Sequence, residues 1–147
     1  MHLTNYSDYA LRTLIYLGSQ SNHESLVSIK QISSIYKIST NHMRKVVYEL
    51  GQLGYIETIR GKNGGIKLAT EPKKINIGAV VRKTENLYIL ECFDREINTC
   101  IISSACQLKS ILSEALHAFL QVLDKYTLED LLTNKRDLQT LFTLFKT

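Results

Sequence analysis

Between Ser28 and Leu68 the sequence passes through two capped helical segments and then a glycine-rich reversal, and few folds accept that order. Ser28-Ile29-Lys30-Gln31 has the form of a capping box opening a short helix, with Ile29, Ile32 and Ile35 turned inward. Tyr36-Lys37-Ile38 predicts a tight turn. Ser39 then caps a second helix, from Thr40 to about Leu50, whose apolar face is Met43, Val46, Val47 and Leu50. Two short helices joined by so brief a turn form a helix-turn-helix, in which the second helix reads DNA. Tyr55-Ile56-Glu57-Thr58-Ile59-Arg60 alternates as a strand does, Gly61-Lys62-Asn63-Gly64-Gly65 offers positive-φ positions for a hairpin loop, and Ile66-Lys67-Leu68 returns. A hairpin directly after a helix-turn-helix is a wing. The expected fold is mainly α with a small β wing: a winged helix-turn-helix domain plus a long dimerisation helix.

The residue types on the outer surface of this unit suit a nucleic acid. Thr40, Asn41, His42, Arg44 and Lys45 point away from the apolar face of the second helix, and Arg60, Lys62 and Asn63 occupy the wing tip. Asn pairs with adenine edges and Arg or Lys with guanine, while hydroxyls such as those of Ser28, Ser39 and Thr40 reach phosphates. Charge supports the same partner. Residues 1–83 carry 12 Lys or Arg against 5 acids, a balance of +7, whereas residues 84–147 carry 6 against 9, a balance of −3. A basic front half joined to a mildly acidic back half fits a polyanion-binding module followed by a sensing or oligomerising segment. The glycine-rich loop matches neither G-x-G-x-x-G nor a P-loop, so it gives no sign of nucleotide binding.

Helical periodicity also marks the flanks. Tyr6, Ala10, Leu14 and Leu17, joined by Leu11, Ile15 and Tyr16, predict a buried first helix from Leu3 to about Gln20, with Thr4 or Ser7 as cap. Asp8 and Arg12, four apart near its start, suggest a local ion pair. After Glu71-Pro72, Ile75 to Thr84 reads as a short helix burying Ile77, Val80 and Val81. The longest periodic stretch runs from about Ser103 to Tyr126, with Leu108, Ile111, Leu112, Ala115, Phe119 and Val122 along one side. So apolar a helix must be covered, either by the chain's own first helix or by a second copy. Leu138, Leu141, Phe142 and Phe145 predict an amphipathic tail that could embrace either subunit. The expected segments are residues 1–84 for DNA binding, 85–107 for a cysteine-rich loop and 108–147 for dimerisation.

All three cysteines, Cys92, Cys100 and Cys106, fall in that loop, with seven and five residues between them. Three thiols cannot pair off as disulfides without a remainder. As soft donors they suit an iron-sulfur cluster or, less often, zinc, with one position left for another ligand. One disulfide with a spare thiol, or three inert buried thiols, are the alternatives. No run approaches the roughly twenty apolar residues that a bilayer requires, and the opening Met1-His2-Leu3-Thr4 lacks the layout of a signal peptide. A cytoplasmic protein with no membrane partner is expected, in a compartment where thiols stay reduced.

Together, Leu3 to Arg12, the wing Ile59 to Ile66, the Ile77 to Arg82 helix, the cysteine trio and the Leu128-Glu129-Asp130-Leu131 segment resemble the NsrR/IscR-type family of bacterial winged-helix iron-sulfur regulators, and within it the repressors that sense nitric oxide. The resemblance covers nearly the whole chain. It implies a homodimer that represses transcription at a palindromic operator in double-stranded DNA. It also implies a cluster, usually 4Fe-4S and in some members 2Fe-2S, held by Cys92, Cys100 and Cys106, with Asp8 of the other subunit as fourth ligand and nitric oxide as signal. The IscR branch places a histidine three residues after its last cysteine; Lys109 stands there in this chain, and a protonated lysine cannot ligate. Cysteine-metabolism regulators of the family lack the trio. An enzyme is not expected, since no paired acids or Ser/His/Asp arrangement accompany the cysteines. A thiol switch without a cluster, with Cys100 and Cys106 oxidising to a disulfide, is the competing reading.

Overall fold

Fifteen residues, Asn5–Ser19, form the helix on which the rest is assembled, α1. The computed structural model describes residues 2–146, so Met1 and Thr147, the outermost residues of the expected segments, lie outside the described residues. Thr4 caps α1 by accepting from the Ser7 amide, and Ala10, Leu14, Tyr16 and Leu17 are buried along it. Against that face pack α2 (Ile29–Tyr36) and α3 (Thr40–Gln52). Ser28 Oγ accepts from the Gln31 amide at 3.1 Å, as expected of a cap. The Gln31 side chain, however, does not reach back to complete a capping box: its Nε2 donates to the Tyr16 hydroxyl at 2.6 Å. A buried phenol needs a polar partner, and that tertiary demand overrides the local one.

The turn between the two helices works through Lys37, whose φ of 54° places it in the left-handed region. Ser39 then caps α3 through the His42 amide, and Met43, Val46, Val47 and Leu50 are all buried. Full burial of side chains such as Leu14, Ile32, Met43 and Leu50 contributes about 1.5–3 kcal/mol each.

The wing is a two-stranded antiparallel sheet, β1 (Ile56–Ile59) and β2 (Gly65–Leu68), with Ile56 opposite Leu68 and Ile59 opposite Gly65. Val27 adds a bridge on the other edge, exchanging amide bonds with Ile66 at 3.0 and 2.8 Å. Of the three glycines in the loop only Gly61 has positive φ, at 110°. The expectation that the loop glycines serve positive φ therefore fails for Gly64 and Gly65, which meet a spatial demand instead: a Cβ would lie 2.1 Å from the Ile59 carbonyl oxygen at Gly64 and 2.8 Å from that of Val27 at Gly65.

A 3-10 turn at Pro72–Lys74 delays α4 to Ile77–Thr84, two residues later than the sequence suggests, with Asn76 as its cap. A second 3-10 turn, Glu91–Phe93, leads through the cysteine loop to α5 (Gln107–Leu123), then a third at Glu129–Leu132, and finally α6 (Lys135–Leu144). The last helix packs on its own chain. Phe142 meets Tyr16 and Tyr36 edge to face at 4.8 and 5.8 Å, and Gln139 Nε2 donates to the Ser19 carbonyl at 2.6 Å. By contrast α5 does not lie along α1. It touches α4, buries only Leu120, and leaves Leu108, Ile111 and Val122 more than half exposed.

Candidate DNA-reading surface and thiol centre

The outer face of α3 presents a continuous polar ridge. Asn41, His42, Arg44 and Lys45 are exposed and Thr40 is half-buried. Ser28 and Ser39 use an oxygen lone pair each as a cap, which leaves both O–H groups free to donate to a phosphate. On the wing, Arg60, Lys62 and Asn63 are exposed at the tip. Lys67, one strand position in, is engaged by Glu24 at 2.5 Å, which anchors the base of the wing and holds the Glu24 carboxyl below its ordinary range. Two side chains outside the expected set share this surface. Tyr48, 69% exposed, follows Arg44 by one helical turn; Glu49, beside it, accepts from the Tyr6 hydroxyl, which also reaches the Lys45 carbonyl at 3.4 Å. Desolvation, then the Glu49 bond, pushes the Tyr6 phenol well above its usual range, so Tyr6 remains a donor that ties the start of α1 to α3. A period-3.6 reading that sorts residues by apolar face could have found Tyr48, which stands on the open side; the Tyr6–Glu49 bond leaves no such signal.

The three cysteines are all free: Cys92 is buried within its 3-10 turn, Cys100 is exposed, and Cys106 is half-buried at the cap position of α5. Among the described residues no group of three or more His, Cys, Asp or Glu side chains is gathered tightly enough to hold a metal ion. The loop is nonetheless pre-shaped. Glu91, directly before the first cysteine, accepts from the amide and hydroxyl of Thr99, directly before the second, at 2.5 and 2.7 Å. These bonds hold the Glu91 carboxyl below its ordinary range. Asn98 continues the scaffold, accepting from the Cys100 amide at 3.1 Å and donating to Ser103 at 3.0 Å. Asp8 lies elsewhere in the chain, where Arg12 grips both its oxygens at 2.9 and 2.8 Å, the ion pair that the four-residue spacing suggests. Arg12 itself sits 5.7 Å from the centre of the Tyr36 ring.

A protein-family model described as an iron-dependent transcriptional regulator, Rrf2, matches residues 3–134. The chain belongs to the Rrf2 family. Among similar Rrf2 proteins are the HTH-type transcriptional regulators NsrR of Shouchella clausii, 58% identical over 100% of this chain and 98% of that protein, and of Bacillus subtilis, 57% identical over 98% and 99%. The fold is shared with T. potens IscR, at a TM-score of 0.72 and 24% identity over 95% of this chain and 91% of that one. It is shared too with CymR, the global cysteine regulator of B. subtilis, at 0.67 and 26% over 89% and 95%. As an Rrf2 protein the chain is a DNA-binding transcriptional regulator, and it is not an enzyme. No helix among the described residues is long and apolar enough to cross a membrane.

Proposed function

We propose that this Rrf2 regulator is a homodimeric, cytoplasmic repressor of a palindromic operator, and that its affinity is set by an iron-sulfur cluster reactive toward nitric oxide. The donor set suits such a group in kind: three free thiols lie within one loop whose side-chain bonds run mainly to itself. Cys92, Cys100 and Cys106 would hold it, with Asp8 of the partner subunit as fourth ligand once it leaves Arg12. Bound there, a 4Fe-4S or 2Fe-2S cluster would supply an iron whose carboxylate ligand, harder and weaker than a thiolate, leaves it open to a small gas.

The observation that carries this reading is the position of Cys106. It stands at the head of α5, and α5 presents an apolar face that this chain leaves uncovered. Orienting Cys106 toward the other two thiols orients α5, and with it the surface that a second copy would cover. The ligand loop, residues 85–107, thus lies between a reading segment, 1–84, and a pairing segment, 108–147. The names of the NsrR relatives favour the nitric-oxide branch.

The test is an anaerobic gel shift with the full chain on operator DNA. Brown protein that loses operator affinity on nitric oxide addition supports the reading; affinity that ignores nitric oxide removes it. Colourless protein whose binding follows thiol oxidation would favour the disulfide switch. Asp8→Ala tests the fourth ligand separately: unchanged iron content and nitric oxide response would exclude Asp8 while sparing the thiols.

A further inference from the structure

The end of α5 is fastened to the reading head by one compact joint. Asp124, which ends the helix, receives Arg82 of α4 in a two-pronged ion pair, Nη1 to Oδ1 at 2.5 Å and Nη2 to Oδ2 at 2.7 Å. The pair closes over Gly78, where a Cβ would stand 2.0 Å from Asp124 Oδ1 and 2.9 Å from Arg82 Nη1. Asn76 caps α4 with its oxygen while its Nδ2 donates to the Asp124 carbonyl at 2.8 Å, and the Ile77 amide donates to the Tyr126 carbonyl at 3.0 Å. An acid at a helix C-terminus opposes the helix dipole, so Asp124 is poorly placed for α5 itself and well placed only for Arg82.

We propose that the Arg82–Asp124 pair, seated over Gly78, is the positioning joint that fixes the angle between the reading head and α5, and so selects the operator half-site spacing. This rests on the dimeric reading above. Leu120 is the buried side chain of α5 and Leu123 packs against the core, both near the Asp124 end, so the helix is held where this joint sits and not along the rest of its length. A 17-residue helix is a lever of roughly 26 Å. Turning it by about 10° would carry its Cys106 end some 4–5 Å, more than the roughly 3.4 Å rise of one base pair. An exposed ion pair adds little to stability. Its two-pronged geometry, which lysine cannot reproduce, supplies direction instead.

The experiment uses the full-length chain and three duplexes: an inverted repeat selected by that chain from randomised DNA, and the same repeat shortened and lengthened by one base pair. The native chain should prefer its own spacing by about tenfold. R82K, which keeps the charge and loses the fork, and D124N should flatten that preference to about threefold with little change in thermal midpoint, and the exchange R82D/D124R should restore it. A native spacing profile in R82K and D124N overturns the inference even if both weaken binding evenly. Unfolding of R82K would assign the pair to stability and overturn it as well. If the native chain selects no inverted repeat, the dimeric reading falls first and this inference with it.

Discussion

The two ends of this chain treat apolar surface in opposite ways. Around α1 the side chains that face the core are closed off: Leu14, Ile32 and Met43 are fully buried, and the hydroxyl of Thr13 donates to the Tyr9 carbonyl at 2.7 Å. Along the cysteine loop and α5 the pattern reverses, with Ile101 at 96%, Ile111 at 60% and Leu108 at 55% exposure. Leu108 and Ile111, three apart on α5, lie on one side of that helix. The first half closes its core within one chain, whereas the cysteine loop and α5 leave large apolar side chains open.

The comparison is broken most sharply at Ile111. Ile111→Asp should leave the helical circular dichroism of the chain intact but, by charging the uncovered face, yield monomers in sedimentation and lower affinity for an inverted repeat on the order of 10³-fold. A dimer that survives the change would mean the open face of α5 is not where copies meet. Leu14→Ala should do the converse. Emptying a fully buried site costs about 2–5 kcal/mol in urea unfolding, seen at every protein concentration. A cost below about 1 kcal/mol would mean that the head is looser than its packing implies.

The smallest effect, that of acid, is shared by the two halves. Asp124, Asp130 and Glu91 in the sensing half are held below their ordinary values by Arg82, by the Thr127 amide and hydroxyl, and by Thr99. Glu24 and Glu71 at the reading head are held down by Lys67 and Lys73. A carboxyl depressed on folding stabilises fully above its unfolded pKa and loses that contribution as pH falls through the folded one, because the unfolded chain then binds more protons. The urea midpoint should therefore be flat from about pH 7 to 5 and fall below about pH 4.5. All these groups are exposed, so the decline should be shallow; a rise on acidification would contradict the assigned pairs.

What could be read from the sequence was what repeats locally. Ser28 and Ser39 as caps, the buried set Met43, Val46, Val47 and Leu50, and the wing all follow from spacing over a few residues. The same periodicity marked the stripe on α5 as needing cover, though it left open which surface would supply it. What it missed joins distant positions. Arg82 and Asp124 lie 42 residues apart, Tyr6 and Glu49 lie 43 apart, and neither pair leaves a periodic trace. The thiols were legible as a trio by composition. How the loop presents them depends on Glu91 and Thr99, ordinary polar residues distinguished only by each preceding a cysteine.

That short polar bond alters the statistics of assembly. Drawing together the ends of an open eight-residue segment carries an entropic penalty of about 2 kcal/mol beyond a constant. Because Glu91 already holds Thr99, Cys92 and Cys100 are restrained relative to one another more tightly than the intervening chain alone would restrain them. Any chemistry that joins Cys92 to Cys100 would start from a loop already closed, whereas the sulfur of Cys106 moves with the long helix.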